Sequence, residues 1–125
     1  MKRAFVPLIL TIVLIFTSLI SIPAIALTVP APTNLSLTLK TKSERWTTLT
    51  VKWSSVSLAN AGYELVITKS NGLSKAFYPV KGSTSASYTL SNDDFTVKLR
   101  AINKSSSGVK TYSAYATKSV GMVDP

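Results

Sequence analysis

From Leu35 onward the chain alternates apolar and polar residues in short runs, and nearly every run ends in turn residues. Leu35, Leu37 and Leu39 alternate with Ser36, Thr38 and Lys40. Leu49, Val51 and Trp53 alternate with Thr48, Thr50 and Lys52, and Phe95, Val97, Leu99 and Ala101 alternate with Thr96, Lys98 and Arg100. Side chains on a strand point to opposite faces with period two, so each run offers one apolar face and one wet face. Several such runs on a chain this short predict two sheets packed face to face.

The first 26 residues read differently. Lys2 and Arg3 precede an apolar run over 4–22, followed by Pro23 and the small-x-small triplet Ala24-Ile25-Ala26. That pattern predicts a secretory signal peptide cut after Ala26, and hence a secreted or extracellular domain. An uncleaved membrane anchor is the alternative, because the run approaches the length that spans a bilayer. Pro23 and the cleavage site argue against it. The predicted organisation is a signal peptide over 1–26, an extended lead-in over 27–33 containing Pro30 and Pro32, one domain over 34–120 and a tail over 121–125.

The chain has no Cys and no His. A secreted domain without disulfides holds itself by packing alone. Lack of His removes the commonest general base and metal ligand. The full chain carries +9; without Lys2 and Arg3 the remainder has 12 basic and 5 acidic side chains, a net +7. Outside the membrane that balance favours anionic surfaces, although lysines on exposed strands also block edge-to-edge pairing.

Strands are predicted over 34–40, 48–54, 63–68, 73–80, 85–90, 95–103 and 109–120. Asn71-Gly72 is a tight-turn signal joining the third to the fourth. Pro79 lacks an amide donor and places that fourth strand at a sheet edge.

These segments resemble, in order, the strands of fibronectin type III domains. Leu49-Thr50-Val51-Lys52-Trp53 resembles strand B with its tryptophan, Gly62-Tyr63-Glu64-Leu65-Val66-Ile67 strand C, Ser87-Tyr88-Thr89-Leu90 strand E, and Phe95 through Asn103 strand F; Gly108 with Tyr112-Ser113 fits the turn into strand G. The resemblance covers about 90 residues of the chain. It implies a seven-stranded, all-β immunoglobulin-like sandwich, sheet A-B-E on sheet C-C′-F-G, with Trp53 central and packed on strands C and F. Phe95 stands where the family carries a tyrosine whose hydroxyl ties down the E–F corner, which forfeits about 1 kcal/mol unless the corner is rebuilt. The family's Arg-Gly-Asp tripeptide is absent from the loop over 104–108, so integrin binding by that route is not implied.

No catalytic set emerges. Nucleophilic catalysis needs a Ser or Cys beside a held base, and paired-carboxylate chemistry needs two acids across a cleft. Asp93 and Asp94 are adjacent in a turn, where side-chain hydrogen bonding to backbone is their ordinary role, and too few oxygen donors lie nearby for calcium. No enzyme activity, cofactor or metal is therefore predicted. The sequence points to a non-catalytic adhesion or recognition module at a cell surface or matrix, with a structural spacer or small subunit of an extracellular assembly and a basic polyanion- or carbohydrate-binding module as alternatives. Expected partners are an extracellular protein or an anionic or carbohydrate polymer, with no nucleic acid and a membrane only if the leader is retained.

Candidate ligand contacts are Trp46, Lys98, Arg100, Tyr112 and Tyr115. Strand F is expected to turn Thr96, Lys98, Arg100 and Ile102 away from the core, with Glu64 of strand C pairing with Lys98 or Arg100. Trp46 falls on the opposite parity from Leu49, Val51 and Trp53, in the connection before them; it either caps the end of the core or, if exposed, serves as a stacking surface. Asn34-Leu35-Ser36 and Asn103-Lys104-Ser105 match the glycosylation triplet, which matters only in a eukaryotic secretory host.

Overall fold

A computed structural model describes residues 27–121. The predicted signal peptide over 1–26 and the residues of the predicted tail beyond Gly121 lie outside the described residues. Eight strands follow one another: β1 (Thr33–Thr41), β2 (Trp46–Ser54), β3 (Tyr63–Lys69), β4 (Ser74–Phe77), β5 (Ser85–Ser91), β6 (Phe95–Lys104), β7 (Lys110–Tyr112) and β8 (Ala116–Val120). They form two antiparallel sheets, β1-β2-β5 and β4-β3-β6 with β7 and β8 both on the far side of β6. The all-β sandwich predicted from the alternation is the observed fold, with eight strands in place of seven.

The alternation decides what is buried. Leu49, Val51 and Trp53 of β2 meet Tyr63, Leu65 and Ile67 of β3 and Phe95, Val97, Leu99 and Ala101 of β6 in one apolar core. Trp53 is 4% exposed and sits edge-on to Tyr63, ring centroids 5.4 Å apart. Leu35, Leu37 and Leu39 flank this core only partly buried, because β1 is an edge strand.

Four segments depart from expectation. β2 begins at Trp46, which pairs with Ser91 of β5, so Trp46 opens a strand and does not lie in the connection. β4 ends at Phe77 ahead of Pro79; the proline keeps its edge position but not a place in the ladder. Ile102 has the outward parity expected of it and is nevertheless buried, outside the main core.

The fourth departure creates the eighth strand. The segment over 109–120 breaks at Ser113. From Ala116, opposite Leu99, back to Tyr112, opposite Ile102, the chain takes four steps where β6 takes three. This is a β-bulge, one extra residue that interrupts the ladder and re-aims its neighbours. Ser113 repairs the interruption: its N–H donates to the Ala101 carbonyl (3.0 Å), and its hydroxyl accepts from the Ala101 N–H (2.8 Å) while donating to the Ala114 carbonyl (2.8 Å). A buried amide that would otherwise lack a partner is satisfied, which is worth about 1–3 kcal/mol.

The turn from β5 to β6, the corner for which the fibronectin type III resemblance implies a tyrosine hydroxyl, is tied down by Asn92. The Asn92 N–H donates to the Arg45 carbonyl (2.9 Å), and its side-chain amide donates to the Glu44 carbonyl (2.7 Å). Asp93 accepts from the Ser70 hydroxyl and from the Asp94 N–H, the turn role expected of it. Asn92 thus ties the corner across to the loop that precedes Trp46.

Candidate functional site

The outer face of the larger sheet gathers four of the five predicted contact residues. Glu64 and Arg100 are direct cross-strand partners on β3 and β6, which puts both side chains on the solvent face. Glu64 therefore pairs with Arg100 and not with Lys98: Arg100 Nε lies 3.0 Å from Glu64 Oε1, an ion-pair distance although the N–H is not aimed as a hydrogen bond. The Tyr115 hydroxyl donates to the same carboxylate oxygen.

Two rings take up the guanidinium. Arg100 Cζ stands 4.1 Å from the Tyr112 ring centroid and 4.7 Å from that of Tyr115. Both are within cation–π range, and the planar guanidinium suits stacking better than an ammonium does. Lys98 Nζ lies 6.0 Å from the Tyr115 ring, at the limit of that range. Tyr112 and Tyr115 are three residues apart, so on a regular strand they would face opposite ways. The extra residue at Ser113 is what turns both onto Arg100. The sequence marks both tyrosines as candidate contacts; the bulge brings them together onto Arg100.

Beside this cluster is a groove of about 510 Å³. Ile102, Ala61, Tyr78, Tyr112, Lys104 and Lys110 line it, with Glu64. Ile102, an outward apolar side chain by parity, is 6% exposed and shares this groove with Tyr78 and Tyr112. Lys104 and Lys110 are directly opposite each other in the β6–β7 ladder, a like-charge pairing that an acidic group seated between them would relieve. Sequence reasoning missed Tyr78, Lys104, Lys110 and Glu64 as surroundings of one groove. Tyr78 follows the end of β4 and Lys110 starts β7, so neither shares a strand with Arg100, and no linear pattern joins them.

Trp46 is not part of this face. It sits at the end of the smaller sheet, 47% exposed, and does not cap the core as one expectation had it. Of the two glycosylation triplets, Asn103 is buried with its amide donating to the Leu58 carbonyl, whereas Asn34 is exposed. Among the described residues no group of three His, Cys, Asp or Glu side chains gathers to hold a metal.

The hydrogen bond from Tyr115 is the main cause that holds the Glu64 carboxyl below its ordinary 4.5, with the Arg100 charge adding to it and partial burial opposing it. The same bond pushes the Tyr115 hydroxyl above its ordinary 10.0. Because the folded-state value of Glu64 is depressed, its stabilising contribution is present above the unfolded value and is lost as pH falls through the folded one. A carboxyl NMR titration should find Glu64 ionising below 4.5, and Tyr115→Phe should move it back up. An unchanged Glu64 titration in that variant would mean the tyrosine does not hold the carboxylate in solution.

No family model matches the chain, and no curated protein matches it. Solved structures do match. One, described as a computer-based redesign of a β-sandwich protein, is 18% identical, has a TM-score of 0.58, and covers 78% of this chain and 96% of its own. At that identity the likeness is one of fold: this chain is a two-sheet β-sandwich.

Proposed function

We propose that this chain is a secreted, non-catalytic recognition module of the fibronectin type III type, and that it holds an acidic segment of an extracellular protein against the outer face of its larger sheet. The observation that carries the reading is the fixed aromatic face: Tyr112 and Tyr115 locked by Arg100 and Glu64, beside a groove in which two lysines face each other. Tyrosines held rigid lose little conformational entropy on contact, and for that reason they dominate many recognition surfaces. The order of the strands and the +7 balance of the predicted mature chain support the same reading.

The test is capture from native surface extracts, using the chain produced by secretion, at low and at physiological ionic strength. Capture should fall with salt. It should be lost in Tyr112→Ala/Tyr115→Ala and weakened in Lys104→Gln/Lys110→Gln. A complex indifferent to both double variants would place the partner elsewhere, and no capture at either salt would favour the structural-spacer alternative.

A further inference from the structure

At the other end of the molecule the two sheets part. β4 is the edge of the larger sheet and β5 the edge of the smaller one. Between them the Phe77 and Tyr88 rings close the gap, with centroids 4.0 Å apart. Beyond that contact the gap opens into a groove of about 350 Å³ with Trp46, Leu73, Phe77 and Leu90 as its apolar lining and Lys69 and Lys75 as its charges. Trp46 also borders a second hollow of about 450 Å³, with Lys42, Ser43 and Thr89. The indole thus stands between two hollows, half exposed.

Its position is built. The Lys42 and Ser43 amides both donate to the Trp46 carbonyl, at 3.0 and 3.1 Å, which closes the loop between β1 and β2 upon it. Asn92 fastens that loop from the other side through the Glu44 and Arg45 carbonyls. Lys69 Nζ donates to the Ser91 hydroxyl, so one ammonium is set at the groove wall. No carboxylate is among the residues lining either hollow.

We propose that this Trp46 platform is a binding site for an anionic polysaccharide, separate from the protein-binding face. A sugar ring lays its C–H face on an aromatic plane, and Trp offers the broadest one. Lys42 and Lys75 supply charges on either side of it for sulfate or carboxylate groups; a lysine serves such groups as a mobile point charge. Ser43, Ser74 and Thr89 place hydroxyls within the same lining, where sugar hydroxyls can exchange hydrogen bonds. The absence of acids in the lining gives the charge complementarity. The Phe77–Tyr88 contact makes the groove short, which suits one or two sugar units and leaves no channel between the sheets for an extended peptide.

The chain has two tryptophans, and Trp53 is buried, so solution quenching of fluorescence reads Trp46. A heparin hexasaccharide is the probe; an uncharged cello-oligosaccharide of the same length and a glutamate-rich peptide are the controls. The hexasaccharide should protect Trp46 from acrylamide. Its affinity should drop about tenfold in Trp46→Ala and about as much in Lys42→Gln/Lys75→Gln, and hold in Tyr112→Ala/Tyr115→Ala. The lysine variant leaves the indole in place and keeps the test sound should the tryptophan variant misfold. Absence of binding, binding indifferent to Trp46 and the lysines, equal binding of the uncharged sugar, or equal Trp46-dependent binding of the peptide would each overturn the proposal. Because the tyrosine variant leaves this site intact, failure here is distinguishable from failure of the protein-binding reading.

Discussion

Replacing Trp53 with alanine is expected to remove about 3–5 kcal/mol, most or all of the stability of a domain this size. The indole is 4% exposed, with β3 and β6 across the sandwich from it. Burial of about 200 Å² at about 25 cal/mol/Å² gives about 5 kcal/mol, which agrees with the substitution range. Packing supplies this, not hydrogen bonding: Trp53 Nε1 finds no acceptor among the described residues. Trp53→Phe should therefore cost less than Trp53→Ala, since it keeps an aromatic edge near Tyr63 and gives up no hydrogen bond. Urea unfolding followed by far-ultraviolet circular dichroism reads both. A cooperatively folded Trp53→Ala protein with a near-normal midpoint would show that the core is centred elsewhere.

Trp53 was legible in the sequence because burial follows parity, and parity is written residue by residue. The same holds for Leu49, Val97 and Leu99, and for the outward placement of Lys98 and Arg100. What escaped was whatever breaks parity or joins distant segments. Tyr112 and Tyr115 share a face only because Ser113 inserts a bulge, and a serine within an exposed strand gives no sign of doing so. Asn92 holds the turn between β5 and β6 by reaching a loop 48 residues earlier in the chain. Trp46 looked out of register because it was read as part of a connection, whereas it is a strand residue on the face away from Leu49. The core is local alternation repeated; the candidate sites are tertiary coincidences of residues that are individually ordinary.

Gly62→Ala should be the second large loss, this time outside the apolar core, at about 2–5 kcal/mol, since positive-φ strain and a backbone clash act together. Gly62 has φ +86°, and a Cβ there would stand 2.5 Å from the Pro79 carbonyl oxygen. That oxygen already accepts the Tyr63 N–H at 2.9 Å, and the Gly62 carbonyl accepts the Ile102 N–H at 2.9 Å. Neither neighbour is a side-chain tip that can swing aside, so the segment carrying Pro79 must move or Tyr63 must. Gly72→Ala is the control: its φ is +88°, but nothing lies within 4 Å of the added carbon. It should cost only the conformational strain of about 1–2 kcal/mol. Midpoints of urea unfolding compare the two, and equal losses would show that the contact with Pro79 is absorbed without cost. The change should also reach the proposed recognition face, because Tyr78 precedes Pro79 and both Tyr78 and Ile102 line the groove beside it. Under conditions where Gly62→Ala remains folded, capture through the tyrosine face should therefore weaken, while Gly72→Ala, at the tip of the β3–β4 turn, should capture normally.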